Sequence, residues 1–252
     1  MFNPLDHPVL ILVGSLSISW FAAWIGGSFG KRKTGQDEGY DELMFLLGGT
    51  LTLLGLIIGF TFSMAVSRYD QRKAYEEQEA NAIGTEYVRA ELLPPTDASR
   101  VRALLKTYLD LRIQQYQTRN MLELRQIDAQ TAQLQTQMWS TVVKPGKEQQ
   151  SPVTALAVSG MNDVLNSQGY TQAAWWNRIP VAGWILLVSI SVFCNVLVGY
   201  AAHGKRALLF AILPITLSIS LFLIAYIDSP RTGLIRVHPQ NLESLAESLR
   251  AQ

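Results

Sequence analysis

The chain is poor in the residues that most chemistry needs. It has one cysteine, Cys194, in 252 residues, which rules out an internal disulfide. That cysteine lies in an apolar run and reads as a small packed residue. Its three histidines, His7, His203 and His238, are scattered. There is no HExxH, no CxxC and no glycine-rich phosphate loop. The inventory therefore supplies no catalytic residues, no metal ligands and no cofactor site, and an enzyme is not expected. Charged residues make up only 16% of the chain, against about 25% in soluble domains. The formal net charge of +1 gives no global field for nucleic acid.

The scarce charge is also segregated. Well over half of both the acidic and the basic residues fall between Arg68 and Arg178. Four long runs carry none, as a bilayer requires, since a charge at its centre costs at least ~2.5–3.5 kcal/mol. A span needs about 20 apolar residues. The runs lie at 9–29, 43–66, 180–202 and 207–227. The charges of the first run follow it rather than precede it, so it reads as a retained helix and not a cleaved signal peptide. Trp175, Trp176 and Trp184 cluster where an aromatic belt would sit. Pro214 is tolerable within a membrane helix and is expected to kink it.

These features predict an all-α membrane protein with four transmembrane helices and a large helical extramembrane domain between the second and third. The divisions are a hairpin at 1–67, a polar domain at 68–179, a second hairpin at 180–228 and a tail at 229–252. Both termini and the domain share one side of the membrane. The short links at Lys31, Arg32, Lys33 and at Lys205, Arg206 favour a cytoplasmic location for the links. Arg68, Arg72 and Lys73 pull the other way, so the side of the domain stays open.

No break interrupts the chain from Leu43 to Pro94-Pro95, so span two is predicted to continue out of the membrane as one helix of roughly 75 Å. Thr96 or Asp97 can cap the next helix. Val101, Leu104, Leu105, Tyr108 and Leu111 recur at helical spacing. Pro145-Gly146 is expected to end a further helix. A short amphipathic helix is expected over 241–249.

Gly48, Thr52, Gly55, Gly59 and Ser63 form a small-residue stripe on span two. It can be a packing seam between helices or a pore-facing stripe in an oligomer. Leu56, Phe60 and Met64 form an adjacent apolar row, of the kind that can gate by dewetting. Glu79, Asn81, Glu86 and Arg89 can form a polar network between subunits that lines a vestibule, or simply a solvated face with a packing seam. Asp228 can cap the turn after span four or pair with Arg68 or Arg231. Asn195, in mid-span, should bond across helices. No ionisable group lies deep in a span, which argues against a proton-driven stator or pump.

Gly59-Phe60, then five residues, then Val66-Ser67-Arg68 resembles the motif that closes the pore helix of bestrophins. The resemblance implies a pentameric anion channel of four membrane helices with a helical domain between the second and third. It places Thr52, Leu56 and Phe60 at the pore neck, with Gly55, Gly59 and Ser63 on the small face of the pore helix. It also puts Arg68 at the pore end, near Glu79 and Asn81. Thr52 stands where bestrophins have a third apolar residue, which implies a shorter or wetter constriction. Phe60–Arg72, Glu76–Pro94 and Asp228–Gln240 are similar to a bacterial family known as bestrophin-like. The implied partners are the lipid bilayer, further copies of the chain and inorganic ions, chiefly anions, and the implied location is the bacterial inner membrane. Bestrophins hold the domain in the cytoplasm, against the link charges. Many also carry an acidic calcium clasp after span four. Asp228, Glu243 and Glu247 are too dispersed for one, so no calcium gating is expected. The competing reading is a non-conducting scaffold or sensor whose helical domain binds a partner.

Overall fold

The computed structural model describes residues 8–30, 39–148, 150–201, 207–231 and 235–251. The basic links at Lys31–Lys33 and Lys205-Arg206, on which the orientation argument rests, lie outside the described residues, as do His7 and His203. Among the described residues the secondary structure is helical, with no strand. The helices are α1 (Pro8–Gly30), α2 (Tyr40–Arg89), α3 (Pro95–Gln117), α4 (Met121–Glu148), α5 (Pro152–Trp176), α6 (Val181–Ala201), α7 (Ala207–Asp228) and α8 (Gln240–Arg250). Four helices are long and apolar enough to cross a membrane.

Local chemistry sets the boundaries. α2 ends in a single 3-10 turn, Ala90–Leu92, and Pro94 then forces extended backbone. α3 starts on Pro95 with no side-chain cap, so neither Thr96 nor Asp97 serves as the expected cap. A proline suits that first position because the N–H it lacks has no helical partner there. α4 does not stop at Pro145 but runs through it to Glu148. The proline sits in the last turn, where a single lost bond is tolerable, and its ring is buried. Ser151 and Thr154 close a reciprocal capping box on α5.

The chain divides into two compact units. The first comprises Met1–Arg68 and Arg178–Arg236. In it α1 packs on α6 and α7. The closest approach is made by two glycines that the sequence did not single out. A Cβ on Gly199 would overlap the Ala23 carbonyl, and one on Gly26 would overlap the Val196 carbonyl. Leu54 of α2 joins Cys194 of α6 and Leu217 of α7 in a small buried cluster. Asn195 is fully buried, but its Nδ2 donates to Ser191 O of its own helix at 2.7 Å, not across helices as expected. A helical backbone carbonyl four residues back meets its donor, while Oδ1 has no hydrogen-bond partner among the described residues.

The second unit comprises Tyr69–Asn177 and Val237–Gln252. Its core joins Ile83 of α2, Val101, Leu105 and Tyr108 of α3, Met138 of α4, Met161 of α5 and Leu242 of α8. The tail helix α8 is thus part of this unit. It is held at its start by Glu76, which accepts from Asn241 N at 2.9 Å and Leu242 N at 3.0 Å. At its end Lys106 Nζ donates to Leu249 O at 2.7 Å.

The α1–α6 contact makes a direct prediction. Gly199→Ala should cost about 1–3 kcal/mol, because backbone faces backbone and neither helix can yield. Gly14→Ala on α1 meets nothing within 4 Å and should be neutral or slightly stabilising through helix propensity. Denaturant titration of the detergent-solubilised protein measures both.

Candidate functional site

The face of α2 decides what its span can do. Advancing 100° per residue, Leu54, Ile58, Thr61 and Ala65 fall on one side, and all are buried or half-buried. Thr52, Leu56, Gly59, Phe60 and Ser63 fall on the opposite side, and all are exposed. Leu56 is 54% and Phe60 65% exposed. A Cβ added at Gly48, Gly55 or Gly59 meets nothing within 4 Å. Among the described residues the small stripe is therefore not a packing seam. Thr52 gives its hydroxyl proton to Gly48 O at 2.9 Å, which leaves its oxygen lone pairs free on the open side.

The same open face continues beyond the span. Ser67, Asp70, Ala74, Glu77, Asn81, Thr85 and Val88 keep the helical register and are all exposed. Its charged members are acidic.

Of the residues expected at the pore end, only Asn81 lies on this face. Arg68 is turned to the side, where its Nη1 lies 3.5 Å from Asp228 Oδ1. Asp228 also accepts from Ile179 N at 3.1 Å. This knot ties the end of the α2 span to α7 and to Ile179, two residues before α6. Arg231 follows three residues later in the bend after α7.

Glu79 is a correction. It is fully buried and does not face a vestibule. It is paired with Arg112 Nε and accepts from Thr171 Oγ1 at 3.1 Å. Arg112 is 1% exposed. Burial is the largest influence and works against its charge, but Glu79, Tyr108 and Tyr116 together outweigh it and raise its pKa. Burial, and then the charge of Glu79, push the hydroxyls of Tyr108 and Tyr116 upward as well. Glu76 is raised chiefly by burial, against the three bonds it accepts from α8. The buried Arg112 was legible in principle. It falls on the apolar stripe of α3, four residues after Tyr108 and seven after Leu105.

A buried pair that loses one partner leaves an uncompensated charge, at a cost of about 3–5 kcal/mol. Arg112→Leu should therefore lower the unfolding free energy of the full chain by that order. Adding Glu79→Gln should restore much of it. A double-mutant cycle followed by circular dichroism checks both.

Comparison with known proteins places this architecture. A family model described as a bestrophin-like domain matches residues 14–242. No curated protein matches the chain. Crystal structures of a bacterial bestrophin homologue from Klebsiella pneumoniae share the fold. One, carrying a single substitution, superposes with a TM-score of 0.65 at 14% identity and covers 97% of this chain and 98% of the homologue. Another superposes with a TM-score of 0.66 at 14% identity and covers 96% and 97%. The fold, the helical composition and the match over nearly the whole length agree: the chain belongs to the bestrophin-like family.

Proposed function

We propose that this protein is a homo-oligomeric ion channel of the bacterial inner membrane, with its pore lined by α2. The observation that carries the reading is the open face of α2. A helix that packs one side into its own bundle and leaves small and apolar residues bare on the other is built to meet further copies of itself. Leu56 and Phe60 form the apolar neck, with Thr52 as its wet end. Rows of that kind close by dewetting. The bestrophin resemblance supports a pentamer.

The resemblance favours anions, but the geometry favours cations. The open face carries Asp70 and Glu77 beyond the neck, and Arg68 is turned away to Asp228. Thr52 presents oxygen lone pairs rather than a hydroxyl proton. Carboxylates lining the approach to a neck concentrate cations and repel anions. The chemistry of this face therefore favours cations.

Purified protein in planar bilayers tests both parts. Phe60→Ala should raise the open probability or the conductance severalfold. Under a salt gradient the reversal potential should take the sign of cation flow, and Asp70→Asn with Glu77→Gln should move it towards zero. Silence from the wild type and from Phe60→Ala alike sinks the channel reading and favours a scaffold. Current with the anion sign rejects the selectivity argument alone.

A further inference from the structure

One buried group of the polar unit has no role in the pore. Glu86, three residues before the end of α2, is 0% exposed. Neither of its carboxylate oxygens has a hydrogen-bond partner among the described residues. A bare carboxylate in that position is very costly, whereas a neutral carboxyl is not. The site is shaped around it. A Cβ added to Gly160 of α5 would overlap Glu86 Oε2 and press on Arg89 Nη1 beside it, so a larger residue there would displace the acid from this position. The Gly160 backbone thus caps the carboxyl group with a close van der Waals surface.

We propose that Glu86 is a proton-binding site that clamps the last turns of α2 against α5. The protonated acid fits the Gly160 niche and holds the seam shut. Loss of the proton creates a charge met only in part by Arg89, with no hydrogen-bond donor on either oxygen among the described residues, and the side chain leaves for water. The charged groups around it are few. Arg89, on its own helix, favours the ionised form, and Asp163, on α5, opposes it. Glu91, in the turn after α2, is engaged 2.7 Å from Arg102 of α3. Burial dominates, and against the pull of Arg89 the carboxyl is pushed up to about 8.

The direction of the pH effect follows. The closed seam holds a proton that the open one releases in the ordinary carboxylate range. The seam is therefore tightest at acidic pH. It weakens by up to about tenfold per pH unit as pH rises through that interval, and levels off once the closed form also ionises. The device works on the polar unit whether or not the protein conducts, so its test does not use current.

Infrared titration of the full chain in detergent reads the proton directly. Wild type minus Glu86→Gln should show a protonated-carboxyl stretch at about pH 6 that disappears as pH passes about 8. Gly160→Ala, which evicts the acid from its niche, should move that midpoint down by at least about one unit. Hydrogen exchange of α5, corrected for its intrinsic pH dependence, should show protection falling across the same interval in wild type and staying flat in Glu86→Gln. The proposal is overturned if the carboxyl stretch is absent at about pH 6. It is equally overturned if Gly160→Ala leaves the midpoint unmoved, or if wild type and Glu86→Gln exchange alike.

Discussion

The continuity of α2 from Tyr40 to Arg89 constrains the rest of the chain. Within the bilayer every backbone N–H and C=O must be satisfied internally, so the helix survives four glycines, Gly48, Gly49, Gly55 and Gly59, that would weaken it in water. Beyond Val66 the same helix must live in water, and there its inward face changes from Leu54 and Ile58 to Arg72, Glu76, Glu79 and Glu86. A packed face and an open face therefore run along one helix, while the solvent around it changes midway. The packed face is answered by leucines and a cysteine in one unit, and by ion pairs and helix caps in the other. The open face is answered by nothing among the described residues.

That arrangement explains how the buried charges are distributed. Burying Glu79 is feasible because Arg112 and Thr171 meet it. Burying Glu76 is feasible because the first N–H groups of α8 have no helical partners of their own. Glu86 has neither kind of partner, and its solution is a proton. The three glutamates are chemically identical, and their neighbours assign them three different states.

The four spans, the length of α2 and the tail helix were legible because each rests on a strong periodic or compositional signal. Charge-free runs of 20 residues have few alternative readings. The α4 boundary was misread because a proline in a last turn resembles a proline that ends a helix. Glu79 was misplaced because the spacing of Glu79 and Asn81 tells nothing about which face of α2 is packed. Two residues apart on a helix, they point in very different directions, and only the position of α3 decides between them. The close contact of α1 with α6 was not legible for the same reason. Span two drew attention through its stripe, yet the close helix contact is made by Gly26 and Gly199, which lie on other helices. A stripe of small residues marks a face that something approaches; it does not say whether the approaching helix belongs to the same chain.

For α2 the account holds that the approaching helix is another copy of α2. Particle imaging of the solubilised protein tests this most directly. The account predicts a closed ring of subunits with α2 innermost, and with Thr52, Leu56 and Phe60 turned to the axis. A monomer, or an assembly in which α1 or α7 lines the axis and the open face of α2 meets lipid, would contradict it.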